Sequence, residues 1–136
     1  PCARTARPRC TGSASRRSAT GGTRPQRRRG AAAERRAAWW YRLRGWRILG
    51  MNVWAGGNEL DVIVRRGREL RFVEVKEKRG DGYGDPLAMV TPEKQRRVRR
   101  AAETWLAARP ELAELGVGFD AVAVRGGRVE RVRDAF

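Results

Sequence analysis

Two short apolar runs joined by a basic turn decide the fold: Glu59-Leu60-Asp61-Val62-Ile63-Val64 and Leu70-Arg71-Phe72-Val73-Glu74-Val75-Lys76. Each run has the length and the β-branched content of a strand, and the Gly67-containing segment between them has the composition of a hairpin turn. Side chains alternate along a strand, so Glu74 and Lys76 share one face, as do Glu59 and Asp61. Charge within an apolar strand is costly unless it is paired or metal-bound. The hairpin therefore predicts a charged site.

The segments on either side of this hairpin complete an α/β pattern. Apolar residues recur at helical spacing from Ala31 to Arg44. Thr91-Pro92-Glu93 predicts the start of a second helix, because it supplies a capping hydroxyl, a first-turn proline and a dipole-favoured acid. That helix should run to about Arg109. Three further strands are predicted, at Trp46–Val53, Phe119–Val124 and Val129–Val132. The order α-β-β-β-α-β-β predicts a mixed sheet of about five strands flanked by helices.

The chain divides by composition into a tail and one domain. Residues 1–30 contain nine arginines, no acidic residue and no large apolar side chain. Such a segment cannot bury a core, so we expect a disordered extension, whose presence in the native protein is left open. Residues 31–136 are predicted to form a single domain. Both cysteines, Cys2 and Cys10, lie in the tail; two thiols cannot complete a zinc site, and the usage suits a reducing cytoplasm.

The charge balance favours a polyanionic partner. The whole chain carries +16, and residues 31–136 alone hold 22 basic and 15 acidic residues, a net charge of +7. DNA is the simplest such partner, and RNA is not excluded. The alternative is an arginine-rich composition with a solvated surface. The chain has no histidine, which excludes histidine-based acid–base and metal chemistry. No apolar run approaches the roughly 18 residues of a membrane span.

The residue types of the hairpin suit phosphodiester hydrolysis assisted by a hard cation. Mg²⁺ (or Mn²⁺) prefers oxygen ligands and keeps several positions for water and substrate. Asp61, Glu74 and the backbone carbonyl of Val75 are the candidate ligands. Lys76 would orient or help to deprotonate water, or neutralise charge developing on the phosphate. Glu59 is either a group behind these ligands or an exposed strand residue. The alternative for the whole set is an amphipathic hairpin with cross-strand ion pairs.

The chain resembles the uncharacterised bacterial YraN-like family of the PD-(D/E)XK restriction-endonuclease-like superfamily, which is related to archaeal Holliday-junction resolvases. Order and spacing agree from about Arg29 to Val124. The matching stretches are Glu34-x-x-Ala37, Gly45-Trp46-Arg47-Ile48-Leu49, Asn52, Gly57-x-Glu59-Leu60-Asp61-Val62-Ile63, Phe72-Val73-Glu74-Val75-Lys76, Tyr83-Gly84-x-Pro86, Val90-Thr91-x-x-Lys94-Gln95 and Phe119-Asp120-Ala121-Val122. The resemblance implies a restriction-endonuclease-like core with its site at a strand pair.

The resemblance also implies roles for single residues. Asp61, Glu74 and Lys76 become a nuclease triad, and Glu34 on the first helix corresponds to the additional acid of resolvase-like members. Gln95 lies where some relatives carry a glutamine near the metal, although Arg99 stands where their Gln–Tyr motif would have tyrosine. Resolvase relatives act as dimers, so a homodimer is open.

The second predicted helix carries a basic face that could contact phosphates. Its candidates for nucleic-acid binding are Lys94, Arg96, Arg97 and Arg100; the alternative is a solvated helix face. The Gly-rich segment 79–86 is predicted to be a loop, either a mobile element beside the site or a plain connector. Among the tryptophans, Trp54 is predicted to be exposed, and the core is expected to contain Trp39, Trp40, Trp46 and Trp105.

Three functions follow from these observations. The first is a cytoplasmic, metal-dependent, structure-selective DNA endonuclease that acts on branched or damaged DNA. The second is a nucleic-acid-binding scaffold that keeps a nuclease-like fold without cutting, which predicts salt-sensitive binding that a chelator does not affect. The third is a partner-binding protein in a membrane-associated or DNA-uptake complex, with its positive charge incidental.

Overall fold

The computed structural model describes residues 24–80, 88 and 90–136, with side chains described from Gly30 onward. The helices are α1 (Arg24–Arg42) and α2 (Pro92–Ala107), and a short 3-10 turn spans Pro110–Leu112. The strands are β1 (Arg47–Ala55), β2 (Asn58–Arg66), β3 (Glu69–Glu77), β4 (Gly116–Arg125) and β5 (Arg128–Val132). The predicted order α-β-β-β-α-β-β is confirmed. Residues 1–30 were expected to be disordered. Residues 1–23 lie outside the described residues, and residues 24–30 belong to α1.

The five strands form one mixed sheet in the order β1-β2-β3-β4-β5. Every neighbouring pair is antiparallel except β3 and β4, which run parallel. A parallel pair needs a crossover connection, and α2 lies within it. One face of the sheet packs on α1 through a core that includes Ala37, Tyr41 and Trp46. The other face packs on α2 through Phe72, Val98 and Trp105. The result is a three-layer α/β sandwich. The mixed sheet flanked by helices that the sequence predicted is confirmed.

Helix α1 starts earlier than the sequence indicated, at Arg24 instead of Ala31. Its buried stripe contains Ala33, Ala37, Ala38 and Tyr41, while Trp40 packs at the edge of the core. The expectation that Trp39 belongs to the core is wrong, because its side chain is 61% exposed. Trp39 lies on the solvent side of the stripe formed by Ala37, Ala38 and Tyr41. Trp46 and Trp105 are buried as expected, and Trp54 is 72% exposed.

Helix α2 begins as its sequence predicted. The Thr91 hydroxyl accepts a hydrogen bond from the Lys94 N–H at 3.2 Å, and Pro92 occupies the first turn. The β1–β2 turn rests directly on this helix at Gly56, whose φ is +54°. A Cβ at that position would lie 3.1 Å from the Ala101 Cα and from the Arg100 carbonyl oxygen. Glycine is therefore needed for the hairpin to reach the helix backbone.

The β1–β2 hairpin changes the face that it presents halfway along its length. Met51 and its partner Val62 pack in the α1-side core, whereas Val53 and its partner Leu60 pack in the α2-side core. In a regular strand, residues two positions apart lie on the same face, so Leu60 and Val62 would share one face, as would Met51 and Val53. Asn52 lies between them with a φ of +51°, a conformation that asparagine adopts more readily than most residues. Asp61 lies across from Asn52 on β2, between Leu60 of the α2-side core and Val62 of the α1-side core.

A buried charged cluster joins α1 to the end of the chain. Asp120 in β4 is fully buried; its Oδ2 accepts hydrogen bonds from the Tyr41 hydroxyl and the Arg131 Nε, each at 2.8 Å. Its Oδ1 accepts from the Asp134 N–H at 3.2 Å and lies 3.6 Å from the Arg71 guanidinium, which itself pairs with Asp134. Burial, followed by the Asp120 charge, raises the pKa of Tyr41. The hydroxyl therefore stays protonated and serves as a donor.

Candidate active site

The site forms where the β2–β3 ladder stops. The last register pair of these strands is Val62 with Val73, and beyond it no backbone pairing joins them. The Val75 N–H donates instead to the Asp61 Oδ2, at 2.8 Å. The N–H and C=O of one strand residue point to the same side, so the Val75 carbonyl faces the same gap. The separation of the strands thus places the Asp61 carboxylate and a backbone carbonyl at one opening.

Glu74 is the most buried carboxylate of the site, with 2% of its surface exposed. Its Oε1 lies 3.0 Å from the Nζ of Lys76 on β3 and 3.3 Å from the Nζ of Lys94 on α2. Two ammonium groups, one from a strand and one from a helix, therefore flank one oxygen. Both ammonium groups form ion pairs with that oxygen. Ion pairing therefore offsets the cost of burying the Glu74 charge.

Helix α1 contributes a third acid to the same region. The Asn52 side-chain amide donates a hydrogen bond to the Glu34 Oε2. Glu34 also acts on the strand residues electrostatically, because its charge raises the pKa of both Asp61 and Lys76. The resemblance implied a role for Glu34, and the structure places it beside the two strand acids.

These side chains line an open cleft of about 530 Å³. The cleft is polar and contains acids and bases from both helices and both strands. Its lining residues are Gly30, Glu34, Glu59, Asp61, Glu74, Val75, Lys76, Glu77, Arg79 and Lys94. All four predicted catalytic residues therefore meet at one cavity, together with Glu59.

The cleft shifts the pKa values of Asp61 and Lys76. Burial, then the Glu74 charge and then the Glu34 charge raise the pKa of Asp61 from 3.8 to about 7, although the Val75 N–H and Lys76 oppose the rise. For Lys76, burial alone would lower the pKa, but the ion pair with Glu74 and the charges of Asp61 and Glu34 raise it. Lys76 is therefore a cation at neutral pH.

The donor set suits a hard cation only if the backbone takes part. Among residues 24–80 and 90–136, no group of three His, Cys, Asp or Glu side chains is arranged to hold a metal ion by itself. Asp61, Glu74 and the Val75 carbonyl supply three oxygens, and Mg²⁺ commonly uses one or two carboxylates and keeps water in its other positions. The Lys76 and Lys94 ammonium groups already lie 3.0 and 3.3 Å from the Glu74 Oε1, so a cation bound there would compete with them. These three oxygens are the ones that could hold such an ion.

The basic side chains predicted on α2 have different surroundings. Lys94 points into the cleft at Glu74, so its first contact is the acid and not solvent. Arg97 pairs with Glu93 at 2.9 Å and remains half exposed, while Arg96 and Arg100 are exposed. Gln95 donates to the Val90 carbonyl at 3.1 Å, so its amide ties the start of α2 to the preceding segment.

Two residues with a part in the site were missed by reasoning from the residues. Asn52 lies on a neighbouring strand, and only its positive φ and its bond to Glu34 reveal its part. Lys94 was predicted as a phosphate contact, because its position two residues into a helix gives no sign of a distant glutamate. Of the predicted loop 79–86, Arg79 lines the cleft, and positions 81–86 lie outside the described residues.

The three-layer sandwich, with two strand-borne carboxylates and a lysine at the opening of a strand pair, is consistent with a restriction-endonuclease-like core. The model of the Uncharacterised protein family UPF0102 matches residues 33–124, and the chain belongs to this family. The YraN-like resemblance is thereby confirmed. Neither helix that the structure describes is long and apolar enough to cross a membrane.

Curated relatives match over most of their own length. A UPF0102 protein of Geobacter sulfurreducens is 40% identical over 100 residues, which cover 70% of this chain and 77% of the relative. A UPF0102 protein of Pelobacter propionicus is 43% identical over 100 residues, covering 68% of this chain and 71% of the relative. The UPF0102 protein YraN of Escherichia coli is 39% identical over 94 residues, covering 68% and 72%.

Proposed function

We propose that this protein is a metal-dependent, structure-selective DNA endonuclease that acts on branched DNA in the cytoplasm. The observation that carries the proposal is the meeting of Asp61, Glu74 and Lys76 at the opened end of the β2–β3 ladder. Asp61 is held there by the Val75 N–H at 2.8 Å, and Lys76 lies 3.0 Å from Glu74. An ordinary surface hairpin would leave these groups in solvent, whereas here Glu74 is buried and Asp61 is largely so.

Each residue has a definable task in phosphodiester hydrolysis. Asp61, Glu74 and the Val75 carbonyl would hold Mg²⁺ or Mn²⁺. When bound, such a cation supplies charge stabilisation to the phosphate oxygens and lowers the pKa of water. Lys76 stays protonated beside Glu74, so its ammonium can stabilise the negative charge that develops on the phosphate. Glu34, held by Asn52, is placed to accept a proton or orient a water molecule at the rim of the cleft.

The exposed arginines of α2 supply the means to hold a duplex at the cleft. Arg96 and Arg100 lie one helical turn apart and are exposed, and Arg97 is half exposed. Contacts of this kind neutralise phosphates without reading bases, so they position DNA of any sequence. Symmetric cutting of a four-way junction needs two sites, so we propose that the active form is a homodimer.

The principal alternative is a nucleic-acid-binding scaffold that does not cut. One observation favours it: Glu74 is already flanked by the ammonium groups of Lys76 and Lys94. In a scaffold these ion pairs would be permanent and purely structural. Chelation would then leave DNA binding unchanged, and Mg²⁺ would leave the stability of the free protein unchanged.

Cleavage assays on defined substrates distinguish the two functions. A labelled four-way junction, a flap, a plain duplex and a single strand are incubated with Mg²⁺, Mn²⁺ or EDTA. We expect metal-dependent cutting that falls by about 100-fold or more in Asp61→Asn and Lys76→Ala, the scale seen when one transition-state contact is removed. Glu103→Gln, an exposed change on α2, is the matched control. If both site variants cut as well as the parent, the proposed site is wrong; binding without cutting, unchanged by EDTA, favours the scaffold.

A further inference from the structure

A second basic surface lies away from the cleft, at the corner where α1 meets β1 and the β2–β3 turn. Its members are arginines whose side chains are exposed or partly exposed, here called the corner arginines: Arg42, Arg44, Arg47, Arg65 and Arg66. Residues 35–58 contain no acidic residue at all. Strand β2 separates the two surfaces: Arg65 lies four positions beyond Asp61 along it, which corresponds to about 13 Å at roughly 3.3 Å per residue.

Contacts in the structure bring the corner arginines together. Arg47 and Arg65 are register partners across β1 and β2. The Arg66 guanidinium donates to the Arg44 carbonyl at 3.3 Å, and Arg42 and Arg47 line an open depression of about 340 Å³ beside Trp46 and Ile48. Arg65 pairs with Leu70 of the α2-side core, so Arg47 and Arg65 lie on the α2 side of the sheet, whereas Arg66 stacks on Trp46 of the α1-side core. The corner arginines therefore flank this end of the sheet on both sides.

This clustering is unfavourable in the protein alone. Like charges at directly opposed strand positions destabilise a sheet, as at Arg47 and Arg65. Within the part of the chain that the structure describes, none of the corner arginines has an ion pair with an acidic side chain. Elsewhere the protein does neutralise arginines, since Arg71, Arg131 and Arg133 all have carboxylate partners. An anion held at the corner would offset the repulsion.

Aromatic rings hold several of these guanidinium groups in place. The Arg44 guanidinium lies 3.7 Å from the Trp40 ring centre, and that of Arg66 lies 4.5 Å from the Trp46 ring centre. Arg44 and Arg66 each donate through one Nη1 to a backbone carbonyl, of Trp40 and of Arg44 respectively. Their other N–H groups can still donate, and a planar guanidinium fork matches the oxygens of a phosphate. Because stacking restricts the side chains in advance, less entropy is lost when they bind.

We propose that the corner arginines bind the phosphodiester backbone of nucleic acid, as a second contact region distinct from the α2 face. Nucleic acid is the partner proposed because the planar guanidinium forks of Arg44 and Arg66 match phosphodiester oxygens. The exposed Trp39 and Leu43 beside Arg42 are the side chains that could enter lipid, and the vesicle assay below tests that outcome. Two separated phosphate-binding regions let one protein hold two arms of a branched nucleic acid. This inference concerns binding and holds whether or not the cleft cuts.

The test measures binding of a labelled duplex and a labelled four-way junction by fluorescence anisotropy in EDTA, across a salt series. The double variant Arg47→Gln/Arg65→Gln is compared with the parent. Each phosphate contact contributes about 0.9 to the slope of log affinity against log salt, so loss of two contacts should reduce the slope by about 1.8. We expect about tenfold weaker binding at low salt. Arg128→Gln, an exposed change at the β4–β5 turn, tests the effect of net charge alone.

Thermal unfolding of the same proteins separates binding from folding. Relief of the Arg47–Arg65 repulsion should leave the Tm unchanged or slightly higher, while a merely structural role would lower it. The proposal is overturned if salt slope and affinity match those of Arg128→Gln. It is also overturned if the double variant loses binding to vesicles of phosphatidylcholine and phosphatidylserine but keeps DNA binding. The double variant Arg96→Gln/Arg100→Gln is measured in the same assay to test the α2 face. A loss of DNA binding can then be assigned to the corner arginines or to α2.

Discussion

Asp61→Asn should make the metal-free protein more stable at neutral pH, even as it abolishes the proposed cleavage. Burial and the neighbouring acids Glu74 and Glu34 raise the pKa of Asp61 from 3.8 to about 7. The folded protein therefore binds this proton more tightly than the unfolded chain does. The favourable contribution is fully present below the unfolded pKa and is lost as the pH rises through about 7. A difference of about three pKa units, at about 1.36 kcal/mol each, sets a ceiling of about 4 kcal/mol.

Asparagine removes this dependence while it keeps an acceptor for the Val75 N–H. We expect a gain of about 2 to 4 kcal/mol at about pH 8, below the ceiling because water enters the cleft, and a smaller gain of about 1 to 2 kcal/mol at about pH 5, because the loss in the parent begins at the unfolded pKa of 3.8. Urea unfolding in EDTA at both pH values measures it, with Glu103→Gln as a control of the same charge change. A variant that is less stable than the parent at the higher pH would refute the reasoning, because the carboxylate would then stabilise the fold.

Further perturbations test other parts of the structure. Mg²⁺ should raise the Tm of the parent but not of Asp61→Asn, since the variant lacks one ligand; equal shifts would place any bound ion elsewhere. Asn52→Ala should cost about 1 to 2 kcal/mol because of its positive φ, whereas Asn52→Gly should restore stability in urea unfolding but not cleavage, because Glu34 loses its donor in both. Gly118→Ala should lower stability by about 1 to 3 kcal/mol in thermal unfolding, because the new Cβ would overlap the Arg71 guanidinium and displace it from Asp120. Tyr41→Phe should cost about 1 to 3 kcal/mol by leaving buried Asp120 short of a donor; an unchanged Tm would show that Arg131 suffices.

The elements of the fold were predictable because their local signals agree with their packing. Alternating and apolar runs gave the strands, and the Thr91-Pro92 start of α2 matches its cap. The start of α1 was not predictable, because residues 24–29, with the sequence Arg-Pro-Gln-Arg-Arg-Arg, contain no apolar stripe. Trp39 was misassigned because its hydrophobicity alone does not show whether it faces the core or the solvent when it stands next to buried residues. Only the helix phase decides which side faces the sheet.

The candidate site was predictable in its strand residues and not in what surrounds them. The spacing of Asp61, Glu74 and Lys76 along two neighbouring strands is a local property. The approach of Lys94 to Glu74 depends on how a crossover helix packs, and the bond between Asn52 and Glu34 depends on a single backbone dihedral. Asp120 is the only acidic residue of strand β4, and its partners Tyr41 and Arg131 come from separate elements. Such long-range contacts leave no periodic signal in the sequence.

The single parallel strand pair also has a kinetic consequence. Strands β1, β2 and β3 are joined by short turns, whereas β3 and β4 meet only after residues 78–115 have closed around α2. Closing a long loop before its contacts form slows folding, so we expect the local three-stranded meander to form ahead of the β3–β4 pairing. Glu74 would then lie beside Lys76 in an open meander and would gain burial and Lys94 only at the last step. Completion of the cleft is thus coupled to the slowest event in folding, and a partly folded chain has no assembled site.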